Sequence, residues 1–109
     1  MRPPQLTNYL RSNRKRLALS QDEVAFLLGG ESGAKISRYE NFTRVPSLET
    51  ALALEAIYKR AASELFGGLY QKAERKVAVR AKMLADRKTS ESGAPSNSKR
   101  KLLTELAQM

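Results

Sequence analysis

The chain of 109 residues contains no cysteine, no histidine and no tryptophan. The first two absences remove disulfides, Cys/His zinc sites, thiol nucleophiles and imidazole general bases together. Aromatic residues make up only 6% of the sequence, so its apolar material is mainly Leu, Ala, Val and Ile, a mixture that favours helices. Long apolar runs are missing too. The longest, Val24 to Leu28, is far short of the ~20 residues that cross a bilayer, and no apolar signal segment follows Met1. A cytoplasmic location without membrane attachment is therefore expected. No phosphate-binding loop, metal-ligand cluster, nucleophile beside a base or plausible pair of catalytic carboxylates emerges, so neither an enzyme nor a cofactor is expected.

What the chain has in excess is positive charge. Twenty Lys and Arg face 11 Asp and Glu, for a formal charge of +9 and an isoelectric point near 10.2. A polyanionic partner follows from this, although charge alone does not distinguish nucleic acid, an anionic membrane or an acidic protein. The excess is uneven: residues 1–66 carry ten basic and seven acidic groups, residues 67–109 ten and four. The length suits one domain with an appendage.

Helix signals punctuate the first two thirds. Leu6, Leu10 and Leu17 recur on one helical face, placing a first helix over Thr7 to Arg16. Ser20 stands three residues before Glu23, the spacing of a capping box, with Asp22 and Glu23 near the positive end of the helix it opens. Val24, Ala25, Leu27 and Leu28 supply that helix's buried side, and Gly29-Gly30 its end. Ser32 is expected to cap a third helix, with Ile36 and Tyr39 on one face and Lys35 and Arg38 on a more exposed side. Pro46 blocks helix before Ser47, which caps a fourth with Leu48, Leu52, Ala56 and Ala51 turned inward and Leu54, Ile57 and Tyr58 broadening the face. Ser63 to Phe66 reads as a short fifth helix, and Gly67-Gly68 as a boundary.

Beyond it, Tyr70, Val77 and Leu84 recur every seven residues, suggesting a basic amphipathic helix over 67–88. Thr89 to Ser98 is rich in Ser, Gly, Asn and Pro and reads as a flexible linker, leaving 99–109 as a partly ordered segment. The heptad stripe fits intramolecular packing better than a coiled-coil seam. The basic run Lys72, Arg75, Lys76, Arg80 and Lys82 is either a solvated face or an auxiliary phosphate surface.

A helix-turn-helix needs a small residue in its first helix, a turn former between the helices and apolar anchors on the second. Ala25, Gly29, Ile36 and Tyr39 meet those needs. The same stretch resembles the lambda-repressor and Cro-like proteins, the XRE family, in Leu10-Arg11, Arg14, Leu19-Ser20-Gln21, Ala25, Leu28-Gly29, Ile36-Ser37-Arg38-Tyr39-Glu40-Asn41 and Pro46-Ser47. The resemblance covers about residues 5–66. It implies an all-α fold: a five-helix lambda-repressor-like domain over 1–66, here followed by a basic C-terminal helical extension. It also implies a homodimer on double-stranded DNA, with the third helix in the major groove, acting as a sequence-selective transcriptional regulator. Repression by operator occupancy is the expected outcome. The alternative is a protein-interaction module or antitoxin-type autoregulator that binds an acidic protein partner, for which residues 69–109 are the candidate surface.

Three departures from the family pattern affect the site. One extra residue between Gly29 and Ile36 enlarges the Gly30-Glu31-Ser32 turn. Gly33 and Ala34 occupy the first two positions of the third helix, where family members carry longer side chains. Phe42 replaces a glycine. Base reading therefore falls to Lys35, Ser37 and Arg38, with the Ala34 methyl able only to touch a thymine methyl. Phosphate contacts fall to Gln21, Asn41, Thr43 and Arg44. Glu40 would repel phosphate if it faced DNA, so an internal anchor for Arg14 is expected instead.

Overall fold

The computed structural model describes residues 6–30, 32–90 and 97–109, and among them every regular element is a helix. The elements are α1 (Leu10–Arg16), α2 (Gln21–Leu27), α3 (Ala34–Glu40), α4 (Leu48–Tyr58), α5 (Ala62–Leu65), α6 (Gly67–Ser90) and α7 (Asn97–Ala107). The chain divides into two units, residues 1–70 and 71–109, with the division falling inside α6. The first unit holds the five expected short helices.

Local chemistry accounts for most of their starts. Ser20 Oγ accepts the Glu23 amide at 3.0 Å while the Glu23 carboxylate accepts the Ser20 amide at 2.8 Å, the full capping box. Ser47 Oγ accepts the Thr50 amide at 3.2 Å and opens α4. Ser32 does not cap α3: Gly33 takes that position, without a side-chain bond, because the chain must pass too close to α2 for any side chain there. α1 starts at Leu10 rather than Thr7, since buried Asn8 diverts the chain by accepting the Leu10 amide on its own Oδ1 at 3.1 Å.

Leu10, Val24, Ala25, Ile36, Tyr39, Leu54, Tyr58 and Leu65 form the core. Each large member contributes about 1.5–3 kcal/mol by leaving water. The expected inward faces need correction at three helices. Leu6 and Leu17 are exposed, leaving Leu10 as the sole contribution of that series. In α2, Leu27 points to solvent beside Phe26, which is 78% exposed. In α4 the expectation holds only in part: Leu54 and Tyr58 face the core and Ile57 and Ala51 are partly covered, but Leu48 is 75% and Leu52 50% exposed and Ala56 is also outside. This helix is apolar nearly all round, so periodicity alone does not select a face.

Gly67 and Gly68 form the first turn of α6 rather than a boundary. The Gly68 amide donates to the Leu6 carbonyl at 2.7 Å, and a Cβ at Gly68 would overlap that carbonyl. The Tyr9 amide likewise donates to Leu65 O at 2.7 Å, so two backbone bonds hold the segment before α1.

In the second unit, α6 and α7 bury Ala81 and Leu103. Of the heptad series, Tyr70 and Val77 are exposed and Leu84 is partly covered. The expected linker over 89–98 is shorter than its composition suggested: Thr89, Ser90, Asn97 and Ser98 are helical, and residues 91–96 lie outside the described residues.

Candidate nucleic-acid interface

The turn between α2 and α3 is built on glycines. Gly29 adopts φ +86°, and the Gly30 amide returns to Ala25 O at 2.7 Å, closing the end of α2. Glu31, the middle of the expected enlarged turn, lies outside the described residues. Gly33 is buried, and its amide donates to Asp22 Oδ1 at 2.7 Å. A Cβ there would sit 2.7 Å from Gln21 Cβ and 2.8 Å from the Gln21 carbonyl carbon, so only glycine lets the start of α3 meet the start of α2. The glycine taken as a lost reading position is thus a packing requirement.

Beneath α3 lies a buried ion pair. Arg14 Nε meets Glu40 Oε2 at 2.6 Å and Arg14 Nη2 meets Oε1 at 3.1 Å, with side chains only 12% and 2% exposed. Arg14 Nη1 donates to Leu19 O at 2.9 Å, and Gln21 Nε2 donates to Glu40 Oε1 at 3.2 Å. α1, α2 and α3 therefore converge on one carboxylate, the internal anchor expected from the sign of its charge. The hydrogen bond that Arg14 donates to Glu40 outweighs desolvation and raises the Arg14 pKa. Tyr58, fully buried nearby, has its pKa pushed up to about 12, first by burial and then by the Glu40 charge. Its Oη is buried and has no hydrogen-bond partner among the described residues.

With Ile36, Tyr39 and Glu40 buried, the opposite side of α3 is fixed at about 100° per residue. Ala34, Arg38 and Asn41 occupy the centre of the outward face, with Ser37 beside them. Lys35 is exposed but turned to the flank. Lys35 and Arg38 line a groove of about 540 Å³ whose other walls include Gly30 and Thr50. Asn41 Nδ2 donates to Ser37 Oγ at 3.2 Å, which orients both polar groups along the face. Lys35, Arg38 and Arg44 have no side-chain partner among the described residues.

The structure distributes the expected phosphate residues unevenly. Gln21 is half-buried at the first turn of α2 with one of its amide hydrogens on Glu40. Asn41 caps the end of α3 and stands on the outward face rather than apart from it. Thr43 Oγ1 donates to Arg38 O at 3.1 Å, where it closes α3, so its hydroxyl hydrogen is already used. Arg44 is exposed in the connection to α4. Phe42 has φ +65°, the left-handed geometry for which glycine is suited, and is half-exposed. Two positioning residues escape sequence reasoning: Asp22, which holds Gly33, and Asn8, whose Nδ2 donates to Tyr39 O at 2.9 Å. Asp22 reads as a dipole-favouring acid. Asn8 offers as a signal only its place two residues before a buried leucine.

A short helix packed across another, presenting an exposed arginine and amide on its outer face, is the architecture of a DNA-reading module. Residues 10–65 match the helix-turn-helix family model. The chain belongs to this family of XRE and lambda-repressor-like proteins, a family of DNA-binding regulators rather than enzymes. Comparison with curated proteins and with solved structures finds no match. Among the described residues, no helix is long and apolar enough to cross a membrane.

Proposed function

We propose that this protein is a sequence-selective repressor that acts as a homodimer by occupying operator DNA through α3. The observation that carries the reading is the outward face of α3, where unpartnered Arg38 stands with Ser37 and Asn41 above the Arg14–Glu40–Gln21 anchor. A guanidinium donating to both acceptors of a guanine discriminates by about 1–3 kcal/mol. Lys35, on the flank, and Arg44, in the connection, are suited to phosphate, while the Ala34 methyl contributes apolar contact only.

A second copy fits the outward stripe of α4. Leu48, Leu52 and Ala56 lie at helical spacing and Val45 precedes them, all exposed and without an intervening charge on the stripe. A two-fold contact of this stripe with itself buries apolar surface. The dimer matches two half-sites about 34 Å apart or a multiple of that spacing.

Selection from randomised duplexes tests the proposal, with a palindromic site as the expected result. Arg38→Ala, which removes one arginine from each half-site, is expected to weaken that site at least about 30-fold and relax preference at one base position per half-site. Lys35→Ala and Arg44→Ala, each removing one cation from both copies, are expected to weaken all duplexes alike and to lower the salt slope by about two each. Unchanged affinity and preference in Arg38→Ala would exclude α3 as the reading helix.

A further inference from the structure

The α6–α7 unit carries a surface that DNA reading by α3 leaves unused. Val77, Ala81 and Leu84 of α6 and Leu103 and Leu106 of α7 form the floor of an open groove of about 330 Å³. Lys76 and Arg80, one helical turn apart, line the same groove and are exposed. Neither cation has a side-chain partner among the described residues. Among the described residues of this unit, only Ala81 and Leu103 are fully covered, so most of the apolar floor is left accessible.

We infer that this groove receives an acidic amphipathic helix from another protein. The floor takes the apolar side of such a helix, and Lys76 and Arg80 take two carboxylates spaced one turn apart. Charge decides against the competing occupants. A second copy would bring another segment with ten basic and four acidic residues over 71–109, setting cationic rim against cationic rim. Nucleic acid would satisfy the rim but leave Val77, Leu84 and Leu106 against a charged backbone. An acidic helix satisfies both parts at once.

The probe is a fluorescent peptide of about 18 residues, helical, with Leu at i, i+3, i+4 and i+7 and Glu along both borders, titrated into the 109-residue chain and followed by anisotropy. Saturable 1:1 binding is expected. Binding should weaken at least tenfold for a peptide of the same composition with its order scrambled, and for Lys76→Glu combined with Arg80→Glu. It should also weaken at least tenfold for Val77→Asp, whose exposed position leaves folding intact; circular dichroism checks this for each variant. Equal binding by the scrambled peptide, or affinity unaffected by these substitutions, overturns the inference. So does sedimentation showing that Val77→Asp dissociates a dimer, which assigns the groove to a second copy. A loss of duplex affinity in Lys76→Glu/Arg80→Glu without any peptide binding assigns it to nucleic acid. Arg38→Ala is expected to leave peptide binding unchanged, which separates this inference from the operator-binding proposal.

Discussion

Replacing Glu40 by Gln keeps the shape of the side chain but removes the charge on which three helices converge. Arg14 would then hold a guanidinium that is 12% exposed, with Leu19 O and a single amide oxygen at position 40 as acceptors and no opposing charge. Breaking one member of a buried pair typically costs about 3–5 kcal/mol. The surviving bond to Leu19 O and the partial exposure of Arg14 place this case at the lower end, about 3 kcal/mol. At about 0.05–0.15 kcal/mol per residue, a unit of roughly 65 residues is stable by only about 3–10 kcal/mol. The substitution therefore removes between a third and all of the stability of the first unit.

Tyrosine fluorescence during urea unfolding reads this unit, since Tyr9, Tyr39, Tyr58 and Tyr70 all lie within residues 1–70 and the chain has no tryptophan. The decisive comparison is a double-mutant cycle. Arg14→Met with Glu40→Leu exchanges the pair for apolar groups of similar size and is expected within about 1 kcal/mol of the parent. Each single change is expected to cost about 3 kcal/mol or more. If Glu40→Gln costs less than about 1 kcal/mol, or if the double variant is as unstable as the sum of its singles, the carboxylate does not anchor α3.

Further outcomes follow from the same geometry. Tyr58 has its pKa raised from 10.0 to about 12, so its contribution is complete below pH 10 and is lost as pH rises through 12. A loss of about 3 kcal/mol is expected across that window by alkaline denaturation, and Tyr58→Phe should abolish the step. At neutral pH, Tyr58→Phe should be neutral or stabilising by about 1 kcal/mol, since it deletes an unpartnered hydroxyl. Gly33→Ala forces a Cβ against the Gln21 backbone and should cost about 1–3 kcal/mol in urea unfolding, with reduced operator affinity. Phe42→Gly should be about 1–2 kcal/mol more stable than Phe42→Ala, because only glycine relieves φ +65°.

Sequence reasoning succeeded where a short-range rule settles the outcome. Ser20 with Glu23, Ser47 before α4 and Gly29 after α2 each act within a few residues, and each appears as read. The Arg14–Glu40 pair was legible because a carboxylate on a helix expected to face DNA has to turn inward or be paired. The orientation of α4 was not legible. Leu48, Leu52 and Ala56 compete with Leu54, Ile57 and Tyr58 for the core, and the winner depends on long-range packing with Leu10 and Leu65. Gly33 was legible as a residue without a side chain but not as a contact, since its neighbour across the gap, Gln21, lies twelve positions away.

That contact shapes how selectivity must arise. Because the start of α3 is committed to packing on α2, the reading surface proposed for it is confined to Ala34, Ser37, Arg38 and Asn41, with one long donor among them. A single bidentate arginine supplies about 1–3 kcal/mol, whereas specific binding typically exceeds non-specific binding by about 4–10 kcal/mol. One copy falls short of this range, and two copies on a palindrome bring the arginine contribution to about 2–6 kcal/mol. Under the proposed operator reading, selectivity as well as affinity therefore depends on the second copy. Leu52→Glu, on the exposed stripe of α4, should yield a folded monomer by sedimentation that retains salt-sensitive binding to arbitrary duplex. Its preference for the selected palindrome should fall at least tenfold. If the monomer keeps the parent's ratio of specific to non-specific affinity, selectivity resides in contacts other than a doubled Arg38.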